Sequence, residues 1–175
     1  MTDKLLLVDS SQLADNVLTR PFTNVRFVFI DGGQLIMVKY GTQEWYDVYK
    51  EEINKSKAYE EAARTWEGDF YFITEKGGPV KDPIYGYVDL YHGKCRAAEV
   101  VTDHKKYNPE FIIQAPYHIW KRICLKQLDS TQALITKQSK LMTGSRGTMA
   151  KIMRYTKAAN ELTNITAHID TDWLD

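Results

Sequence analysis

The sequence predicts an α+β fold, a mainly antiparallel sheet with helices on one face. Three observations predict it. Helical spacing of apolar residues runs over 42–64. Four strand-like runs follow between 69 and 115, two of them joined by His92-Gly93. Helical spacing returns after Pro116, interrupted by one short strand near residue 141. Strands gathered between helices suit a segregated α+β layer arrangement better than alternating βαβ units.

In the leader, the runs 25–30 and 34–38 flank Asp31-Gly32-Gly33 and read as a β-hairpin. It could pair with a sheet edge or with a second subunit, as a homodimer contact. Residues 1–36 are therefore set apart as an N-terminal extension, with Met37 as an alternative start. Residues 37–160 form the body and 161–175 a C-terminal tail.

Trp45, Val48, Tyr49 and Ile53 form an apolar stripe at helical spacing. Asn54 to Ser56 breaks that helix, and Ser56 can cap a second one through Ala63. Asp69 to Thr74 is rich in aromatic and β-branched residues, and Gly77-Gly78-Pro79 marks the loop after it. In the next run Ile84, Val88 and Leu90 share one face, and Tyr85, Tyr87, Asp89 and Tyr91 take the other. That alternation is the period of a half-buried strand. Lys94 to Val101 completes a hairpin. Phe111 to Ala115 is a further strand, with Phe111 and Ile113 inward and Gln114 outward. Pro116 opens a helix to Leu125, and Asp129 or Ser130 caps a short one. Ser139 to Gly144 is a last strand, and Thr148 to Lys157 a last helix.

Composition excludes several classes. The 175 residues are 43% hydrophobic and 26% charged, as in an ordinary single globular domain. Basic and acidic residues number 23 each, so no global field favours nucleic acid. The run Leu5 to Val8 is too short for a signal peptide or a membrane span, and two lone cysteines set no disulfide framework. A reducing, cytoplasmic setting is expected.

No catalytic or metal signature stands out. His92, His104, His118 and His168 are scattered, with no paired CxxC or HExxH, so neither metal nor cofactor is expected. Cys124 and His118 point in different directions on one helix, which suits a buried thiol. Cys95 lies between Lys94 and Arg96, cations that would lower its pKa, although inert packing is the simpler reading. Gly144 to Gly147 lacks the Gly-Lys-Ser/Thr ending of a phosphate-binding loop. On the last helix Lys151 and Arg154, with Arg146 before them, offer a weak contact for an anionic membrane surface.

The stretch from Pro109 to Asn160 carries a resemblance. Its residues are the strand 111–115, Tyr117 with Trp120, the step Leu128-Asp129, Ala133-Leu134, and Lys140-Leu141-Met142-Thr143-Gly144. Together they resemble the sterol-carrier-protein type 2 (SCP2) lipid-transfer domain. Trp66-Glu67-Gly68 and His92-Gly93-Lys94-Cys95 are similar to stand-alone archaeal and bacterial members. The resemblance covers Met37 to Ala159. It implies a sheet of about five strands with helices enclosing an apolar tunnel. It also implies a non-catalytic intracellular carrier of an acyl chain, acyl-CoA, isoprenoid or sterol-like molecule. The tunnel lining would comprise Val88, Leu90, Phe111, Ile113, Ile119, Ile123, Leu134, Leu141, Met149, Ile152 and Met153. Composition alone would make these apolar residues a solid core, and the alternative function is a protein-interaction module with a closed core.

Overall fold

The computed structural model describes residues 26–30, 33–142 and 146–174. The leader hairpin is present: β1 (Arg26–Ile30) pairs antiparallel with β2 (Gly33–Lys39), Ile30 opposite Gly33. Its tip residues Asp31 and Gly32 lie outside the described residues.

Two helices follow. Thr42 caps α1 (Gln43–Lys55), its hydroxyl accepting from the Trp45 amide. Ser56 ends α1 and caps α2 (Lys57–Ala62), as the sequence predicts. The apolar stripe of α1 buries Trp45, Tyr46, Tyr49 and Ile53.

The main sheet comprises β3 (Glu67–Glu75), β4 (Ile84–Tyr91), β5 (Lys94–Val101), β6 (Phe111–Pro116) and the two-residue β7 (Lys140–Leu141). Its order is β5-β4-β3-β6-β7. The five-stranded, mainly antiparallel sheet matches expectation, with one pair the sequence did not disclose: β6 runs parallel to β3, Phe70 opposite Phe111. The 102–110 loop carries the chain across the outer face to reach that position. There Tyr107 stacks on Tyr87 with ring centres 3.8 Å apart. His92 (φ 48°) and Gly93 (φ 76°) make the tight β4–β5 turn. A Cβ on Gly93 would meet the backbone of Glu60 at 2.6 Å, so only glycine lets α2 lie this close.

The β5 edge is covered by side-chain amides of α1. Gln43 donates to the Ala98 carbonyl (3.1 Å) and accepts from the Val100 amide (2.9 Å). Asn54 does the same at Cys95, at 3.0 and 2.9 Å. Two amides thus imitate a neighbouring strand and close an edge open to foreign pairing.

The remaining helices are α3 (Tyr117–Cys124), α4 (Ser130–Ile135), α5 (Arg146–Arg154) and α6 (Thr156–Thr166). Pro116 precedes α3 in extended conformation instead of opening it. The single helix expected over 148–157 is two, broken at Tyr155. The boundary drawn at residue 160 falls inside α6, whose Ala158 and Ile165 are buried with Ile169 in the main core. Beyond α6, β8 (Thr171–Asp172) pairs parallel with β2. Residues 161–174 are therefore part of the fold, because an apolar helix face there covers the sheet. Among the described residues, no helix is long and apolar enough to cross a membrane.

Candidate functional site: an apolar cavity between sheet and helices

A cavity of about 120 Å³ lies between the helix-facing side of the sheet and the helices that cover it. The sheet contributes Phe70, Phe72, Leu90 and Ile113. The α1–α2 side contributes Trp45, Tyr46, Tyr49 and Tyr59, and α3 contributes Trp120, Ile123 and Cys124. Ser130, Thr131 and Leu134 come from α4, Ile152 from α5, and Ala158, Ala159, Leu162, Thr163 and Thr166 from α6. Among the described residues, no charged side chain lines it.

Aromatic packing holds this wall in place. Trp66 and Phe70 stack at 5.5 Å, and Phe70 and Phe72 at 5.1 Å. Several of the large polar rings have their tips tied to the protein. The Trp120 indole donates to the Ile73 carbonyl (2.9 Å) and the Trp45 indole to Thr171 (3.0 Å). Tyr40 and Thr74 share a buried hydrogen bond of 3.0 Å between their hydroxyls. Rings fixed at the tip present their apolar faces inward.

Of the residues expected to line a tunnel, Leu90, Ile113, Ile123, Leu134 and Ile152 do line this cavity. Val88 and Phe111 are fully buried in the surrounding core, and Ile119 packs in a satellite cluster with Ala115, Ile123, Leu128 and Ala133. Leu141 is partly buried against the core. Met149 is half-buried and off the cavity, and Met153 is 37% exposed. The helical phase decides this: Ile152 faces the sheet, so Met153, a further 100° round, faces away. Sequence reasoning missed the aromatic wall of α1 and the whole contribution of α6. The aromatic run Trp45, Tyr46, Tyr49 carried the available signal.

Both thiols are buried, and burial pushes Cys95 and Cys124 up to about 12. At Cys95 this outweighs the pull of nearby Lys50. Neither is held as a thiolate nucleophile. Among the described residues no cluster of His, Cys, Asp and Glu could hold a metal ion. Lys151 is not a free membrane contact. Its Nζ donates to the Glu67 carbonyl (2.7 Å) and to Glu110 (2.8 and 2.9 Å), and it lies over the Trp66 ring at 5.0 Å. Arg154 is exposed, while Gly144-Ser145 and the side chain of Arg146 lie outside the described residues.

Comparison with solved structures decides the fold family. A crystal structure of sterol carrier protein 2 superposes with a TM-score of 0.67 at 28% identity, over 75% of this chain and 99% of that one. The chain is SCP2-like. A solution structure of a conserved hypothetical protein of Thermus thermophilus, described as a candidate sterol carrier protein, gives 0.68 at 26% identity, over 77% of this chain and 92% of that one. No protein-family model and no curated protein matches the sequence. In both comparisons about three quarters of this SCP2-like chain superposes.

Proposed function

We propose that this SCP2-like protein is a lipid-binding and transfer domain that takes an acyl, isoprenoid or sterol-like tail into the cavity between sheet and helices. The observation that carries the proposal is the cavity itself: apolar, aromatic-walled and lined, among the described residues, by no charge. Burying each methylene is worth about 0.8 kcal/mol, so a tail of sixteen carbons gains about 13 kcal/mol gross. Association and ordering cost about 4–15 kcal/mol of that. A bilayer offers the tail the same gain, so the balance favours exchange over trapping. A space of about 120 Å³ suits a small apolar group. A longer tail requires Leu134, Ile152 and Leu162 to shift outward.

Exchange needs a surface that meets membranes. The segment 117–142 holds five cations, Lys121, Arg122, Lys126, Lys137 and Lys140, against one carboxylate, Asp129, in a chain of zero net charge. Leu125, Ile135 and Met142 are exposed on it, and the same segment lines the cavity through Ile123, Ser130 and Leu134. This basic, apolar-tipped lobe suits an anionic bilayer better than the α5 face, where Lys151 is already engaged. The homodimer suggested by the leader would use the outer edge of β1.

Native mass spectrometry of the protein purified from its own source is the direct test. A co-purifying lipid is expected. Lipid-free protein that also fails to take up Nile red would leave the interaction module as the better reading.

A further inference from the structure

We propose that Ser130 anchors the polar end of the bound lipid, and that this end is an uncharged oxygen group: an alcohol, an ester or a ketone. The inference rests on the lipid-carrier reading above and adds the chemical class of the head and its orientation.

Ser130 is the first residue of α4. It is not the cap. The Asp129 carboxylate fills that role, accepting from the Gln132 amide at 2.7 Å. Ser130 lines the cavity, and its Oγ is buried and has no hydrogen-bond partner. Such a hydroxyl destabilises the empty fold, because it has left water and gained nothing in return. Several other polar groups of the cavity are partnered within the protein. Tyr40 bonds Thr74, and the Cys124 thiol bonds Thr166. At the α4 end, Thr131 and Ser139 line the same wall and are also buried.

A serine hydroxyl both donates and accepts, so it can serve an alcohol or a carbonyl equally well. A carboxylate is a different matter. Among the described residues the lining offers no Lys, Arg or His to balance it. A fatty-acid anion placed there would lose its hydration without a counter-charge. The phenols of the wall do not change this. Burial holds Tyr46, Tyr49 and Tyr59 well above their ordinary titration range, so they stay neutral dipoles. The lysines of the 117–142 lobe stand outside the lining, where they meet solvent or a membrane surface. The cavity thus selects tails whose head is polar enough to bond Ser130 and neutral enough to be buried.

The full chain and its Ser130→Ala variant are compared by competition against Nile red, with lauryl alcohol, lauric acid and dodecane as probes at neutral pH. Wild type should bind the alcohol about tenfold or more tightly than the acid. Ser130→Ala should weaken the alcohol about tenfold, leave dodecane unchanged, and raise the melting temperature of the lipid-free protein. Opposite shifts in affinity and stability would not arise from a purely structural serine. Acid binding as tight as alcohol, alcohol affinity indifferent to the substitution, or a lowered melting temperature would each overturn the proposal. These outcomes leave the carrier reading intact, since a tail still binds. A protein that takes up none of the probes nor Nile red overturns both.

Discussion

Tyr46 lays its phenol across the backbone of Gly86 so closely that a Cβ on Gly86 would stand 1.8 Å from the hydroxyl oxygen and 2.1 Å from Cζ. The ring is buried and belongs to the cavity wall, so it has little room to retreat. Gly86→Ala should cost about 1–3 kcal/mol through overpacking. Urea unfolding would show a lower midpoint. Combined with Tyr46→Ala, the loss should fall short of the sum of the two single losses. Strict additivity would mean that the ring and the strand are not in competition.

Ile152 and Met153 are neighbours with opposite surroundings. Ile152→Trp adds volume to the cavity wall and should lower affinity for a fluorescent fatty probe about tenfold, equivalent to about 1.4 kcal/mol. Met153→Trp, on the exposed side, should change both affinity and melting temperature little. Probe displacement and thermal melting on the two variants decide it; equal effects would place the lipid elsewhere.

Alkali should loosen the fold. In the folded chain burial raises both thiols to about 12, whereas an exposed thiol titrates near about 8.5. The unfolded chain therefore releases these protons first. Their contribution is whole below about pH 8.5 and is lost as pH rises toward about 12, each thiol giving a slope of at most about 1.4 kcal/mol per pH unit. The buried phenols of Tyr40, Tyr46, Tyr49 and Tyr59, also raised by burial, add to the loss in strong alkali. Urea midpoints measured from neutral pH upward should be level at first and then fall, and Cys124→Ala should flatten part of that fall.

The basic lobe predicts a salt-sensitive contact. Lys126→Glu with Lys137→Glu should cut partitioning onto phosphatidylserine vesicles at low salt by tenfold or more, at about 1 kcal/mol per surface cation. Lys151→Gln should leave partitioning unchanged, since Lys151 is held by Glu110 and the Glu67 carbonyl. Flotation assays on the two variants separate the lobe from the α5 face.

Much of the fold was legible because its signals are local. Ser56 ends one helix and caps the next, His92-Gly93 turns a hairpin, and the alternation of Ile84, Val88 and Leu90 sets a face. The parallel partnership of Phe70 with Phe111 is not local. No period in either strand records which neighbour it takes or in which direction. The break at Tyr155 was equally hidden; its ring lies edge-on to Trp66 at 5.0 Å, a partner distant in sequence. Missing that break merged α5 with the start of α6, and the tail was read as separate. At the site, apolar size identified Leu90, Ile113 and Ile152, but no pattern within the sequence distinguishes an unpartnered Ser130 from any helix-opening serine.

The pairing of β8 with β2 joins Thr171 to Val38 and Asp172 to Lys39. Its consequence is one of timing. On a ribosome, β3 to β6 emerge well before α6 and β8. At about 5–20 residues per second, the interval between residue 117 and residue 172 is roughly three to eleven seconds. Through that interval the aromatic wall has no lid, and the growing chain offers Trp45, Phe70 and Phe72 to whatever is nearby. Such a nascent chain calls for a chaperone or for an early lipid, and vectorial synthesis gives the cavity its first chance to fill before it has closed.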